Sequence, residues 1–290
     1  MLQMVKRYGL ILAAAIFVSC ETIDIKGLIA PTGDVVDKRF EKSMSLTKNQ
    51  AVVKIETEER YTFYVSTDPH IDSTNNNLRE FATRLRNDKT ASFGVVLGDC
   101  YNRGSALPTY IEAIEKRQAT DAPIFSILGN HDIYHRGWDK FSETLGASVY
   151  WFDVQHPSGC DLFIALDSAS GTLGRQQLSW LGKFLAEQRD KYRHCVVLTH
   201  TNLFYTDNSQ TGSGNMALEE TAALTELFSR HKVTLCLQGH DHYREELMLG
   251  GVQYTIIGTI SDSAKQAEYL IICLSNEGVE YSWSISNGRE

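Results

Sequence analysis

Five short apolar runs in this chain each end abruptly in Asp, Asn or His, and that recurrence restricts the possible folds more than any other feature. The runs cover residues 61–66, 92–97, 123–128, 195–199 and 233–237. They stop at Asp68-Pro69-His70, Gly98-Asp99, Gly129-Asn130-His131-Asp132, His200 and Gly239-His240-Asp241-His242. Short runs rich in branched and aromatic side chains, bounded by turn formers, read as strands. Helical patterns fill the gaps, as in residues 174–191, where Leu178, Leu181 and Leu185 form an apolar stripe at i, i+3 and i+7. Strands alternating with helices predict βαβ units and a mainly parallel sheet. In such sheets the ligand site lies just beyond the carboxyl ends of the strands, so the five clusters should converge although they are far apart in sequence.

The rest of the chain reads less regularly. Residues 151–155 and 162–166 flank His156-Pro157-Ser158-Gly159, which predicts a hairpin. Three C-terminal strand-like runs, GVQYTIIGT, EYLIICL and VEYSWSI, have no helices between them and predict a second, partly antiparallel sheet closing the domain. Residues 21–60 read as a tail leading into an early strand at AVVKIETEE, and residues 61–290 as the main domain.

The clustered residues have one chemistry in common. Asp, Asn and His offer hard or borderline donors, suited to Mn, Fe, Zn, Mg or Ca. There are more of them than one tetrahedral ion can use, so a two-metal site follows, with a carboxylate bridging ions roughly 3.5–4 Å apart. Glycines before Asp99, Asn130 and His240 permit close backbone approach. Five of the nine histidines sit in these clusters, a concentration that isolated turns and caps do not explain. The net charge of −8 and the lack of a Lys/Arg block in the main part of the chain argue against a dedicated binder of nucleic-acid polymers and leave room for a local basic pocket.

Taken together, Asp68-Pro69-His70, Gly98-Asp99-Cys100-Tyr101-Asn102, Gly129-Asn130-His131-Asp132, His200 and Gly239-His240-Asp241-His242 resemble the D-x-H, G-D-x-x-[DN], G-N-H-[DE], H and G-H-x-H motifs of the calcineurin-like metallophosphoesterase superfamily. The segment GRQQLSWL, residues 174–181, is similar to the helix that precedes the fourth motif in that family. The resemblance implies an α/β fold, a four-layer α/β/β/α sandwich with two mixed β-sheets flanked by helices. It also implies two divalent or trivalent ions (Mn, Fe, Zn or Mg), one held by Asp68, His70 and His242, the other by Asn130, His200 and His240, with Asp99 as the bridge. By the same resemblance, a hydroxide between the ions attacks the phosphorus of a small phosphate monoester or diester. His131 assists the leaving oxygen and Asp132 orients the His131 ring. Asn102 and Arg103 fall at the position of substrate contacts, Asn102 also where an Asn supports the site through hydrogen bonds, and Arg103 where Ser/Thr protein phosphatases grip phosphate, with a surface arginine in a turn as the alternative. Those phosphatases carry Glu where this chain has Asp132, and purple acid phosphatases need a Tyr where it has Asn102, so both subfamilies are disfavoured. Loop residues Trp138, Tyr205 and Asn208 are candidates for leaving-group contacts, with solvated loop positions as the alternative. Two other functions stay open: a nucleotide or nucleic-acid phosphodiesterase, and a catalytically inactive scaffold of the same fold.

Residues 1–20 stand apart, with Lys6 and Arg7 ahead of a short apolar stretch. The stretch is too short to span a bilayer and has the form of a secretory signal. Val18-Ser19-Cys20 resembles a bacterial lipobox, which implies export and a lipid anchor at Cys20 as the sole membrane contact; plain secretion is the alternative. Cys195, Cys236 and Cys273 lie inside apolar runs and read, with Cys100 and Cys160, as free thiols without metal-ligand spacing.

Overall fold

The computed structural model describes residues 35–48, 53–116, 118, 121–204 and 215–287. Among the described residues twelve strands form two sheets. One contains β1 (Val53–Glu56), β5 (Tyr150–His156), β6 (Gly159–Ala165), β7 (Cys195–Leu198), β8 (Leu235–Gln238), β9 (Glu245–Leu249) and β10 (Val252–Ile256), in the order β1-β5-β6-β7-β8-β10-β9. The other contains β2 (Tyr61–Ser66), β3 (Ala91–Val96), β4 (Ile124–Ser126), β11 (Ala267–Ser275) and β12 (Gly278–Ser286), in the order β12-β11-β2-β3-β4. Both are mixed: β2, β3 and β4 run parallel, as do β6, β7, β8 and β10, while β9, β11 and β12 pair antiparallel with their neighbours.

Period-two alternation sorts the strand side chains between three apolar layers. In β2, Phe63 and Val65 face the other sheet, and Tyr64 faces the helices. In β7, Val196 and Leu198 point inward, and Cys195 and Val197 point outward. The middle layer is strongly aromatic. Phe63 and Phe93 from the five-stranded sheet meet Phe152 and Phe163 from the seven-stranded one, with Phe63–Phe163 at 5.2 Å, Phe93–Phe163 at 5.1 Å and Phe93–Phe152 at 5.4 Å between ring centres. Helices α2 (Asn76–Asn87), α3 (Leu107–Ile114) and α5 (Gly137–Thr144) cover the outer face of the smaller sheet, and α6 (Gly174–Gln188) and α7 (Leu218–Arg230) that of the larger. A one-turn helix, α4 (Asn130–Ile133), follows β4. The four-layer α/β/β/α architecture is therefore present.

Three details differ from the sequence reading. The five principal strands do not share one sheet, because the chain changes sheets between β4 and β5. The C-terminal runs do not form a closing sheet of their own. β10 extends the sheet of β8, whereas β11 and β12 extend that of β2. A strand at β9 completes a hairpin through Gly250 and Gly251, both at positive φ as such turns require. Residues 21–60 also contain a helix, α1 (Val36–Lys48), whose Phe40 packs on Trp180 of α6. The expected signal segment, Cys20 and the loop residues Tyr205 and Asn208 lie outside the described residues. Among the described residues no helix is long and apolar enough to cross a membrane. Cys100, Cys160, Cys195, Cys236 and Cys273 are free thiols, as their apolar settings suggest.

Candidate metal centre

The segments after β2, β3, β4, β7 and β8 meet at one end of the sandwich. The five-stranded sheet contributes Asp68, His70, Asp99, Asn130 and His131, and the seven-stranded sheet contributes His200, His240 and His242. Donor atoms fall into overlapping groups within ligand reach of one another: Asp68, His70 and His242; His70, Asp99 and His131; Asp99, His200 and His240. Close backbone approach makes this possible. A Cβ at Gly129 would lie 2.1 Å from the Asp99 amide nitrogen, and one at Gly239 would lie 2.0 Å from Thr67 Oγ1. The loops are also strained: Asp68, His70, Asp99, His240 and His242 all adopt positive φ, sparsely populated for residues with a Cβ.

Hydrogen bonds to the outer atoms decide which atoms face inward. His200 Nδ1 lies 2.7 Å from the Leu97 carbonyl, which only accepts, so Nδ1 carries a proton and Nε2 is the nitrogen turned to the cluster. That Nε2 faces Asn130 Oδ1 at 2.9 Å and Asp99 Oδ1 at 3.3 Å. His70 Nδ1 donates in the same way to Asn102 Oδ1 at 3.0 Å, leaving its Nε2 2.9 Å from His242 Nε2 and 3.6 Å from both Asp68 Oδ1 and Asp99 Oδ2. Asp68 Oδ2 is bonded by Thr67 Oγ1 and the His240 amide, while Oδ1 is buried without a hydrogen-bond partner among the described residues. Imidazole nitrogens and carboxylate oxygens this close together in a buried site, with Asp68 Oδ1 left unpaired, call for positive charge at their centre, so the residues present fit a metal.

The buried carboxylates draw positive charge to this cluster, carried by protons on the rings or by a bound metal ion. Burial alone would keep the His200 ring neutral, but Asp99 and Asp68 outweigh it and push its pKa up to about 10. Burial likewise opposes charge on His70, and the nearby Asp68 and Asp99 carboxylates raise it to about 9. The surrounding histidines hold Asp68 and Asp99 well below the usual carboxylate range despite burial. Burial and the neighbouring His200 push His240 down to about 4.

Several expected roles change. Asp132 does not orient His131: its oxygens accept the Gly129 amide at 2.9 Å and the Tyr101 amide at 3.3 Å, capping α4 and tying it to the β3 turn. Burial, then Asp99, pushes its pKa up to about 8. Asn102, expected among the substrate contacts, is committed to His70: its Nδ2 donates to the His70 carbonyl at 3.0 Å and to Asp72 at 2.9 Å while Oδ1 takes the ring proton. Trp138 is 1% exposed in the α5 core, stacked on Phe141 with Lys42 Nζ over its ring, and so is closed to a leaving group. Arg103 is exposed in the turn that follows Asn102. His131 sits at the rim, its ring 21% exposed and 4.6 Å from that of His70, with Nε2 4.0 Å from Asp99 Oδ2. Supporting residues without a sequence signal include Tyr134, which receives Asn130 Nδ2 at 2.6 Å, and Thr259, whose hydroxyl donates to the Asp68 carbonyl. Ser168, whose Oγ accepts the His200 and Thr201 amides, is a third.

The profile of the calcineurin-like phosphoesterase family matches residues 61–244, so the chain belongs to that family of metal-dependent phosphoester hydrolases. The fold is shared with a dimetal phosphatase from Danio rerio, at 14% identity and a TM-score of 0.60 over 79% of this chain and 97% of that one. It is shared with the anchor protein of the Plasmodium inner membrane complex at 14% identity and a TM-score of 0.61, over 80% of this chain and 87% of that one. A purple acid phosphatase from yellow lupin seeds (Lupinus luteus) matches at 13% identity and a TM-score of 0.60, over 80% of this chain and 53% of that one. A search of curated proteins finds no match.

Proposed function

We propose that this chain hydrolyses small organic phosphate esters with two divalent ions, one held by Asp68, His70 and His242, the other by Asn130, His200 and His240, and Asp99 between them. The observation that carries the reading is the Asp99 carboxylate, whose Oδ1 lies 3.3 Å from His200 Nε2 and whose Oδ2 lies 3.6 Å from His70 Nε2. One carboxylate thus addresses both groups of donors. Bound there, divalent ions acidify a water and polarise phosphoryl oxygens.

The protein's own groups do the rest. His131 sits at the solvent side of the cluster, where its Nε2 can give a proton to the ester oxygen as the phosphorus–oxygen bond breaks. Its backbone amide donates to Asp99 Oδ1 at 2.8 Å, which fixes the ring's position relative to that carboxylate. Arg103, exposed beside Asn102, is available to a substrate phosphate as a two-pronged donor. Export with a lipid anchor at Cys20 is inferred from the leader alone, and it restricts substrates to those outside the cytoplasm.

The relative with an anchoring role keeps a scaffold without catalysis as the second reading. The full set of donors, together with His131, favours the enzyme. Metal analysis of the purified protein, followed by paired chromogenic monoester and diester assays with Mn, Zn, Fe and Mg, separates the two. The expected result is two ions per chain and turnover with at least one of these metals. Two ions without turnover on any substrate would establish the scaffold, and no bound metal would overturn both readings.

A further inference from the structure

Helix α1 lies outside the matched family region, yet it carries one of the most deeply buried charges in the protein. Arg39 is 0% exposed, and so is its partner Asp167, which follows β6. The guanidinium grips the carboxylate with two prongs, Nε to Oδ2 at 2.8 Å and Nη2 to Oδ1 at 2.9 Å, and Nη2 also reaches Ser170 Oγ at 3.0 Å. Ser148 Oγ donates to the same carboxylate at 3.0 Å and is itself bonded to Ser43 of α1. Desolvating such a pair is costly, and a simple helix-docking contact would be served as well by apolar residues.

The carboxylate has a second task. Its Oδ1 accepts the Ala169 amide at 3.3 Å, closing a turn around Ser168, while Gln177 of α6 holds the Asp167 backbone on both sides. Ser168 Oγ then accepts the backbone amides of His200 at 3.1 Å and Thr201 at 2.9 Å, and is bonded to the Thr199 hydroxyl at 2.7 Å. The Ser168 carbonyl takes the Thr201 hydroxyl at 2.7 Å. Every one of these groups is buried. An unbroken run of fixed contacts therefore leads from α1 through Arg39, Asp167 and Ser168 to the backbone of His200.

We propose that α1 is a working part of the metal centre, and that Arg39 and Ser168 are positioning residues which set His200 for the ion it shares with Asn130 and His240. The inference rests on the dimetal reading above. It predicts an effect on one ion and not the other, because Asp68, His70 and His242 receive nothing from this run of contacts.

The test uses the full chain, with Mn(II) and Co(II) as probes. Binding of each ion is measured by calorimetric titration, and the visible ligand-field spectrum is recorded with Co(II) substituted. His200→Ala identifies the ion that His200 holds. The double variant Arg39→Met with Asp167→Asn, which leaves no lone buried charge, should weaken that same ion about 10–100-fold, the usual cost of losing a ligand's support, and alter its Co(II) spectrum. Ser168→Ala, which removes one hydroxyl, should do the same to a lesser degree, and Arg39→Lys should restore part of the loss. The other ion should keep its affinity in all of them. If the double variant fails to fold, Ser168→Ala decides alone. Unchanged binding and spectrum in Ser168→Ala, or equal weakening of both ions, overturns the link while the dimetal reading stands. A wild-type protein that binds no Mn(II) overturns that reading and this one together.

Discussion

Replacing Asn102 by Ala separates two roles that look identical in the sequence. In the structure the side chain makes three hydrogen bonds, and two of them act on His70, one on the ring and one on its carbonyl. Each such bond contributes about 0.5–1.5 kcal/mol, so His70 loses about 1–3 kcal/mol of orientation. One decade of affinity corresponds to about 1.4 kcal/mol, which puts the loss at about 5- to 150-fold for the ion that His70 helps hold. Asn102→Ala should therefore need more Mn(II) for half-maximal activity and for half-saturation in a direct titration. At saturating Mn(II) its KM should match that of the wild type, because no bond to substrate has been removed. The assay is a pair of curves, metal affinity by calorimetry and substrate dependence at saturating metal. A KM raised tenfold with metal affinity unchanged would refute the positioning role and return Asn102 to the substrate.

Three further outcomes follow from named contacts. His131→Ala should lower turnover about 10²–10⁴-fold with both ions retained, measured by metal analysis alongside kcat; loss of an ion would make His131 a ligand instead. Glu80 accepts Ser286 Oγ at 2.8 Å and the Asn287 amide at 2.9 Å and pairs with Arg84, and these donors outweigh burial to hold its pKa below the ordinary 4.5. A depressed folded pKa means stability present above the unfolded value and lost as pH falls through the folded one. Glu80→Gln should thus be less stable by about 1.5–3 kcal/mol at neutral pH, with the gap in urea midpoint closing in acid; a gap that persists undiminished there contradicts the assignment. Cys100, Cys195 and Cys236 are buried, with Cys195 pushed up to about 12, whereas Cys160 and Cys273 are partly exposed, so native thiol labelling followed by mass spectrometry should modify only Cys160 and Cys273 of these five.

The strand ends were legible because chemistry forces them: no apolar strand gains by ending in Asp-x-His or Gly-His-x-His unless those groups have a shared task. The partition into two sheets was not, since the alternation of Tyr64 against Phe63 and Val65 records that a strand has two buried faces and not which strand lies beside it. Helix α1 escaped notice because its inward face, Val36, Arg39, Phe40 and Ser43, has the i, i+3, i+4, i+7 spacing but fills two of four places with polar residues. The role of Asp132 and the substrate role of Asn102 differ from the structure for a common reason. A polar residue next to a ligand has several nearby amides and rings to bond, and only coordinates show that Gly129 and Tyr101 claim one while His70 claims the other. Trp138 read as a loop residue because the helix around it, α5, begins immediately after two left-handed residues, His135 and Arg136.

The aromatic layer between the sheets has a consequence for the ions. Each proposed ion takes donors from both sheets, so the spacing of the sheets sets the span of each ligand set. Phe63, Phe93, Phe152 and Phe163 act as the spacer of a pair of calipers whose jaws are the loops at one end. Metal–ligand distances are discriminating to about 0.2 Å, finer than the change made by trading a ring for a smaller side chain. On the two-ion proposal, the choice of ion would then be set partly by side chains that never touch it. Trimming the spacer, as in Phe163→Leu, would change which metal fits at a degree of loosening well short of unfolding.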